Sequence, residues 1–143
     1  MNRIERAERL TRWRAHVSHV LGILFVVQGF RAADWRVIQP TDYAQLVGWA
    51  VWLAVLLGFL LFGSGLLHGP AFGALVNDET TAANRRAALL AGFWAMLLTA
   101  AICYGASFTM ALAVRPAIHV IVAMGVGVAL MHFGSLERRA LKA

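Results

Sequence analysis

The chain has 143 residues, of which 60% are hydrophobic and 14% are charged, and its 13 Lys and Arg exceed its 7 Asp and Glu to give a net charge of +6. Soluble domains are about 45–50% apolar and about 25% charged, so this composition argues against a soluble domain and predicts a membrane protein. No basic face is interleaved with aromatic residues, which argues against nucleic acid as a partner. The single cysteine, Cys103, excludes an intramolecular disulfide and a cysteine-based zinc site.

The first apolar segment covers residues 17–33 and follows a basic N-terminal segment, residues 1–16. Trp13 and Trp35 are 22 positions apart, which in a helix corresponds to about 33 Å, close to the thickness of a bilayer. Because tryptophan favours both membrane interfaces, these two residues are expected to mark the ends of one span. A cleaved signal peptide is the competing interpretation, and Arg31, which bounds the apolar run near its end, argues against it.

Three further apolar segments, residues 46–67, 87–114 and 117–133, are also predicted to span the membrane. A helix needs roughly 20 apolar residues to cross the hydrocarbon core. The last two segments are joined by a very short turn, and Pro116 suits the first turn of the following helix. Such a short connection makes the third and fourth helices antiparallel neighbours. The sequence therefore predicts a single all-α domain over residues 1–143, an integral membrane four-helix antiparallel bundle.

The distribution of basic residues predicts how this bundle is oriented. Four spans place ten basic residues on one side of the membrane: Arg3, Arg6, Arg9, Arg12, Arg14, Arg85, Arg86, Arg138, Arg139 and Lys142. The other side receives three: Arg31, Arg36 and Arg115. Basic residues collect in the cytoplasmic parts of membrane proteins. Both termini, the loop of residues 68–86 and the tail of residues 134–143 are therefore predicted to be cytoplasmic, in a multi-pass protein of the bacterial inner membrane.

Small residues recur four positions apart from the end of the second apolar segment into the following loop, and again within the fourth segment. They are Gly65, Gly69 and Gly73, and then Gly125 and Ala129. This spacing lets helix backbones approach closely in lipid. Packing inside one molecule is the favoured interpretation, and a homo-oligomer interface is the alternative.

Three of the five histidines are expected near the cytoplasmic face: His19, His68 and His132. Ionisable residues within membrane spans are costly and often functional, and histidines on different helices at one depth can ligate a haem. Interfacial histidines in contact with water are the favoured interpretation. A haem or quinone site formed by these three residues is the alternative, and His119 is predicted alone near the opposite face.

No catalytic motif and no metal-ligand spacing is visible in the sequence. All seven acidic residues are predicted to lie outside the apolar segments, including Glu137 in the C-terminal tail. A buried carboxylate is common in proton-coupled transport, so its predicted absence argues against that function. Thr99, Ser107 and Thr109 lie inside the third segment and are expected to bond backbone carbonyls rather than a substrate.

The loop before the third span concentrates polar residues next to an apolar helix. Asn77 or Asp78 is expected to cap that helix through a side-chain oxygen. Asp78 and Glu79 would lie at the positive end of its dipole. Arg85 and Arg86 then reach the membrane edge about two turns into the helix. Capping and orientation are enough to explain every charge in this loop.

The same residues carry a resemblance. Val76-Asn77-Asp78-Glu79-Thr80-Thr81, followed by Asn84-Arg85-Arg86-Ala87 and an apolar helix, resembles a cytoplasmic-loop pattern of small bacterial four-helix membrane proteins of unknown function. Some of those proteins are encoded beside DNA-binding regulators and are thought to restrain them at the membrane. The resemblance implies a cytoplasmic surface for protein contact at Asn77, Asp78, Glu79, Arg85 and Arg86.

The leading functional prediction is a small non-enzymatic membrane protein that acts as a partner or regulator through its cytoplasmic loop and termini. Its expected partners are the lipid bilayer and a cytosolic or membrane protein, with a homo-oligomer as a further option. The first alternative is a haem- or quinone-binding electron-transfer subunit. The second is a small oligomeric transporter or channel.

Overall fold

A computed structural model describes residues 3–31, 40–62 and 79–141 of the chain. These residues form four α-helices and contain no strand: α1 (Arg3–Arg31), α2 (Pro40–Phe62), α3 (Glu79–Ala106) and α4 (Val114–Ala140). The predicted all-α class is therefore confirmed. α1 and α3 begin well before the apolar segments 17–33 and 87–114. The charged residues that precede each apolar segment therefore belong to the same helix as the start of that segment.

The helix α4 lies between α1 and α3 and packs extensively against both, whereas α2 contacts α4 only slightly. Contacts between α1 and α4 join Gly29 to Ala123 and Gly22 to Gly127, so the two helices run in opposite directions. Between α3 and α4, Gly92 lies against Gly125 in the middle of both helices. The antiparallel packing of α3 against α4 agrees with the prediction from their short connection. The long-range pairing of α1 with α4 was not predicted.

The face that α1 turns towards α4 follows a seven-residue repeat. Its buried positions alternate steps of three and four: Ala15, Ser18, Gly22, Phe25 and Gly29. This spacing keeps one seam of a helix facing its partner over several turns. Three of the five residues are glycine or alanine, so the seam brings the two helix backbones close together.

Glycines make the closest contacts along both seams of α4. A β-carbon built on Gly22 would lie 2.7 Å from the carbonyl oxygen of Gly127, and one built on Gly92 would lie 2.5 Å from the carbonyl oxygen of Gly125. Both distances are too short for any side chain. Gly125 and Ala129 thus pack within one molecule, as favoured from the sequence, while Gly65, Gly69 and Gly73 lie outside the described residues.

Two of the described helices, α3 and α4, are long and apolar enough to cross a membrane, and the apolar stretch Leu46–Leu61 of α2 is shorter. The core helix of a soluble protein would bury most of its apolar window, but only 11% of that window is buried in α3, against 44% in α4. The outward-facing side of α3 carries large apolar side chains such as Leu90, Trp94 and Leu98. An exposed apolar surface of this kind is typical of contact with a membrane or with another protein.

The helix α3 stops at Ala106, before the predicted limit of the apolar segment, and residues 107–113 lead to α4. The turn after it is held by backbone bonds, in which the N–H of Ser107 donates to the carbonyl oxygen of Tyr104 at 3.2 Å and that of Thr109 donates to the carbonyl oxygen of Ala106 at 3.0 Å. The Ser107 and Thr109 hydroxyls donate to the same two carbonyl oxygens, at 2.6 Å and 3.0 Å. Within α3, Thr99 donates to the carbonyl oxygen of Ala95.

Aromatic contacts join α2 to the other helices. The Trp49 ring stacks on Phe25 of α1, with centroids 6.2 Å apart, and lies 4.5 Å from the ring of His119 on α4. His119 is buried, and its Nδ1 bonds the carbonyl oxygen of Arg115 at 3.0 Å. Because a carbonyl only accepts, Nδ1 carries a hydrogen. His119 is thus part of a contact between helices.

Candidate functional site

A buried charged cluster lies where the N-terminal parts of α1 and α3 meet the C-terminal part of α4. Its central contact is an ion pair, in which Arg14 Nη2 donates to Glu137 Oε2. The second carboxylate oxygen, Oε1, accepts from Asn84 Nδ2 at 3.3 Å. Glu137 thereby connects all three helices through one side chain. We define the charged cluster as Arg14, Asn84, Arg85 and Glu137.

The ion pair is almost completely removed from solvent. The Arg14 side chain is 4% exposed and the Glu137 side chain 2%. The Arg14 guanidinium carbon lies 5.5 Å from the centroid of the Phe133 ring, in a cation–π contact. Ser18 donates to the carbonyl oxygen of Arg14 at 2.8 Å. Burial of both charges is costly, and their hydrogen bonds offset that cost only while both partners are present.

Arg85 is half-buried at the edge of the same cluster, on the cytoplasmic side of the predicted third span. Burial lowers the pKa of Arg85 below its ordinary value, the positive charge of Arg14 lowers it further, and the negative charge of Glu137 opposes both effects. The Arg85 guanidinium therefore lies in the electric field of the ion pair. Arg85, which was predicted as an orientation signal and as a contact residue, thus belongs to the cluster.

Basic side chains surround the charged cluster on the outside. Arg138 Nη2 donates to His16 Nδ1 at 2.9 Å, and both residues are exposed. We define the basic rim by its exposed arginines: Arg9, Arg12, Arg86, Arg138 and Arg139. The carboxylate of Glu137 is used internally, so it does not balance these charges at the surface. This end of the molecule therefore presents positive charge to its surroundings.

The predicted contact residues separate into three groups. Asn77 and Asp78 lie outside the described residues, and so does their predicted capping role. Glu79 is the first residue of α3 and is exposed, as is Arg86 further along the helix. Arg85 faces the charged cluster. Among the predicted contact residues that the structure describes, Glu79 and Arg86 are the exposed ones.

The structure does not show the three histidines of the predicted cofactor site together. His68 lies outside the described residues. His19 is half-buried against α4, where a β-carbon built on Gly134 would lie 3.3 Å from its backbone nitrogen, and His132 is exposed. In the described part of the chain no hydrogen bond or ring contact joins His19 to His132. The haem or quinone site stays a prediction.

Sequence reasoning treated Arg14 and Glu137 as surface charges, and the structure corrects this interpretation. Glu137 follows Leu130 by seven residues, so it continues the buried side of α4 one repeat further. Arg14 is adjacent to Ala15, the first buried residue of the α1 seam. The seven-residue repeat can be read from the sequence. That it predicts burial of these two charged residues becomes clear only when α1 and α4 are known to pack against each other.

Searches with protein-family models, curated protein sequences and solved structures found no match to this chain. The resemblance of residues 76–87 to small four-helix membrane proteins therefore stays a prediction. Chemically, the charged cluster holds three helices in one register and offers no nucleophile. Its carboxylate oxygens each accept a bond from a neighbouring helix, which is the arrangement of a structural clamp.

Proposed function

We propose that the chain is an integral protein of the inner membrane, with four antiparallel spans and both termini in the cytoplasm. The outward apolar surface of α3 and the two helices of spanning length support this placement. The excess of basic residues at the end that carries the charged cluster supports the orientation. Arg31 and Arg115, both exposed, lie at the other end.

We further propose a non-enzymatic role, in which the cytoplasmic end holds or regulates a protein partner. The observation that carries this proposal is the charged cluster together with its basic rim. The helices α1, α3 and α4 have 29, 28 and 27 residues. At 1.5 Å per residue each is about 40–44 Å long, which exceeds a hydrocarbon core of about 30 Å. Since the charges gather at one end, the extra length extends there into the cytoplasm.

A rigid projection of this kind is suited to recognition. The clamp between Arg14 and Glu137 fixes the relative positions of three helix ends, so the basic rim is held in place before a partner arrives. A surface that is ordered in advance loses less conformational entropy on binding. The exposed Glu79 and Arg86 would then contribute to contact, as the resemblance implies.

Cysteine labelling tests the membrane orientation. In a Cys103→Ser background, Arg115→Cys and Arg139→Cys each introduce one thiol at opposite ends of the molecule. A membrane-impermeant maleimide should label Arg115→Cys in intact spheroplasts and should label Arg139→Cys only after permeabilisation. Labelling of both positions from the outside would contradict the proposed topology.

Site-specific photocrosslinking in cells tests the partner role. A photoreactive amino acid at Arg86 should give a discrete protein adduct, and the same probe at Phe108, which is exposed at the opposite end, should not. The adduct should disappear in the Asp78→Ala/Glu79→Ala variant. An adduct that survives this variant, or one formed equally from Phe108, would contradict recognition through the cytoplasmic loop.

A further inference from the structure

An open groove separates α1 from α2 near the end opposite the charged cluster. It has a volume of about 370 Å³ and is lined by Leu24, Val27, Gln28 and Arg31 of α1 and by Trp52 of α2. The space between the two helices is open here. The groove has no role in the proposed contact with a cytoplasmic partner.

The polarity of the groove changes steadily along α1. Its four lining residues from α1 are spaced i, i+3, i+4 and i+7, so they form one stripe on a single face of the helix. The stripe starts with Leu24 and Val27, continues with the Gln28 amide and ends with the Arg31 guanidinium. At 1.5 Å per residue it is about 10 Å long. The Trp52 side chain forms the opposing apolar wall.

We propose that this groove binds one phospholipid with an anionic headgroup from the outer leaflet. The guanidinium of Arg31 and the amide of Gln28 would hold the phosphate, and an acyl chain would lie along Leu24, Val27 and Trp52. The assignment rests on the proposed membrane placement, which puts Arg31 at headgroup depth. Arginine binds phosphate through paired N–H donors of fixed geometry.

A phospholipid fits this groove better than a soluble anion because most of the lining is apolar. A free phosphate ion would use Arg31 and Gln28 only and would leave Leu24, Val27 and Trp52 in contact with the bilayer as before. A lipid uses both parts of the stripe in the order in which they occur. The charge of Arg31 selects an anionic headgroup over a zwitterionic one.

Arg115 provides a matched control. It is the other described arginine at the outer end, it is exposed in the first turn of α4, and it does not line the groove. If any interfacial arginine were sufficient, Arg31→Gln and Arg115→Gln would have the same effect. If the groove is a site, only Arg31→Gln removes selectivity.

Quenching of tryptophan fluorescence by brominated lipids tests the proposal. The full chain is reconstituted in phosphatidylcholine vesicles that contain either brominated phosphatidylglycerol or brominated phosphatidylcholine at the same mole fraction. Subtracting the Trp52→Phe variant isolates the Trp52 signal. We expect Trp52 to show about a fivefold preference for the anionic lipid, the change typical of one basic side chain near a membrane surface. The preference should vanish in Arg31→Gln, persist in Arg115→Gln and be partly kept in Arg31→Lys.

Several outcomes would overturn the proposal. Equal quenching by both lipids would show that the groove does not select a headgroup. A preference that survives Arg31→Gln would show that Arg31 does not select the lipid, and a preference that Arg115→Gln also removes would show that the groove is not needed for it. A preference abolished by added inorganic phosphate would show a free-anion site instead. Quenching of the exposed Trp94 of α3, obtained by subtracting the Trp94→Phe variant, tests the membrane placement separately from the lipid site. If neither lipid quenches Trp94, the placement itself is wrong and the lipid site is wrong with it.

Discussion

The helix α4 is held to its neighbours in two different ways along its length. In the middle, glycine and alanine let backbones approach, as where Gly22 meets Gly127 and Gly92 meets Gly125. At the end that carries the charged cluster, a single carboxylate, Glu137, accepts bonds from α1 and α3. The first region works by shape and the second by directed polar contacts.

In the proposed membrane placement the difference matters, because lipid changes the balance of forces. Between membrane helices there is little hydrophobic driving force, so the small-residue seams rely on close packing. The glycine contacts leave no room for a side chain, so the seams restrict sliding of the helices as well as supplying contact area. The buried ion pair adds a second constraint at one end of α4, because its two partners must meet.

Removal of one charge from the cluster should have the largest effect. The Glu137→Ala change leaves Arg14 buried without its carboxylate, and loss of one partner of a buried ion pair typically costs about 3–5 kcal/mol. The measurement is the free energy of unfolding of the purified protein, from titration of a denaturing detergent into mixed micelles.

The double variant Arg14→Met/Glu137→Leu distinguishes a buried charge from a missing contact. It replaces both charges with apolar side chains, which is often neutral or even stabilising. We expect it to recover most of the stability that Glu137→Ala loses. If the double variant is as unstable as the single one, the cluster contributes attraction beyond the cost of an unpaired charge, and our account of it is wrong.

Filling the seams should have the next largest effect. Gly22→Ala or Gly92→Ala forces a methyl group against a backbone carbonyl, and overpacking of this kind costs about 1–3 kcal/mol. The same unfolding titration measures it. Gly48→Ala is the control, because a β-carbon built on Gly48 meets nothing within 4 Å, and a glycine replaced by alanine in a helix interior gains about 0.5–1 kcal/mol. Equal effects at all three positions would show that helix propensity, and not packing, decides.

The sequence was informative where local chemistry decides the structure. The bonds of Thr99, Ser107 and Thr109 to backbone carbonyls and the packing role of Gly125 and Ala129 follow from residue types and their spacing, although the end of α3 at Ala106 does not. Composition and the distribution of arginines support a membrane interpretation for the same reason. These features depend on near neighbours in the chain or on totals over many residues.

The charged cluster could not be found in this way. Arg14 and Glu137 are 123 residues apart, and each lies in a charged segment whose simplest interpretation is a solvated helix end. Their meeting depends on α4 choosing α1 as a neighbour, which hydropathy does not encode. The groove between α1 and α2 depends in the same way on how these two helices are placed beside each other.

The Asn84 bond to Glu137 should contribute less than the ion pair. Asn84→Ala removes a donor to one carboxylate oxygen and should cost about 1 kcal/mol, the usual net value of a hydrogen bond. Thr99→Ala is its control, since Thr99 bonds a carbonyl four residues earlier in its own helix and holds no second helix. A loss from Thr99→Ala that equals the loss from Asn84→Ala would show that contact between helices adds nothing here.

The contact between Arg138 and His16 should have the smallest effect of all. Both side chains are exposed, so the Arg138 donor can exchange His16 for water at little cost. A double-mutant cycle with Arg138→Gln and His16→Gln should give a coupling smaller than the loss from Asn84→Ala. A coupling as large as the loss from Asn84→Ala would contradict this expectation and would show that an exposed contact also holds α1 against α4.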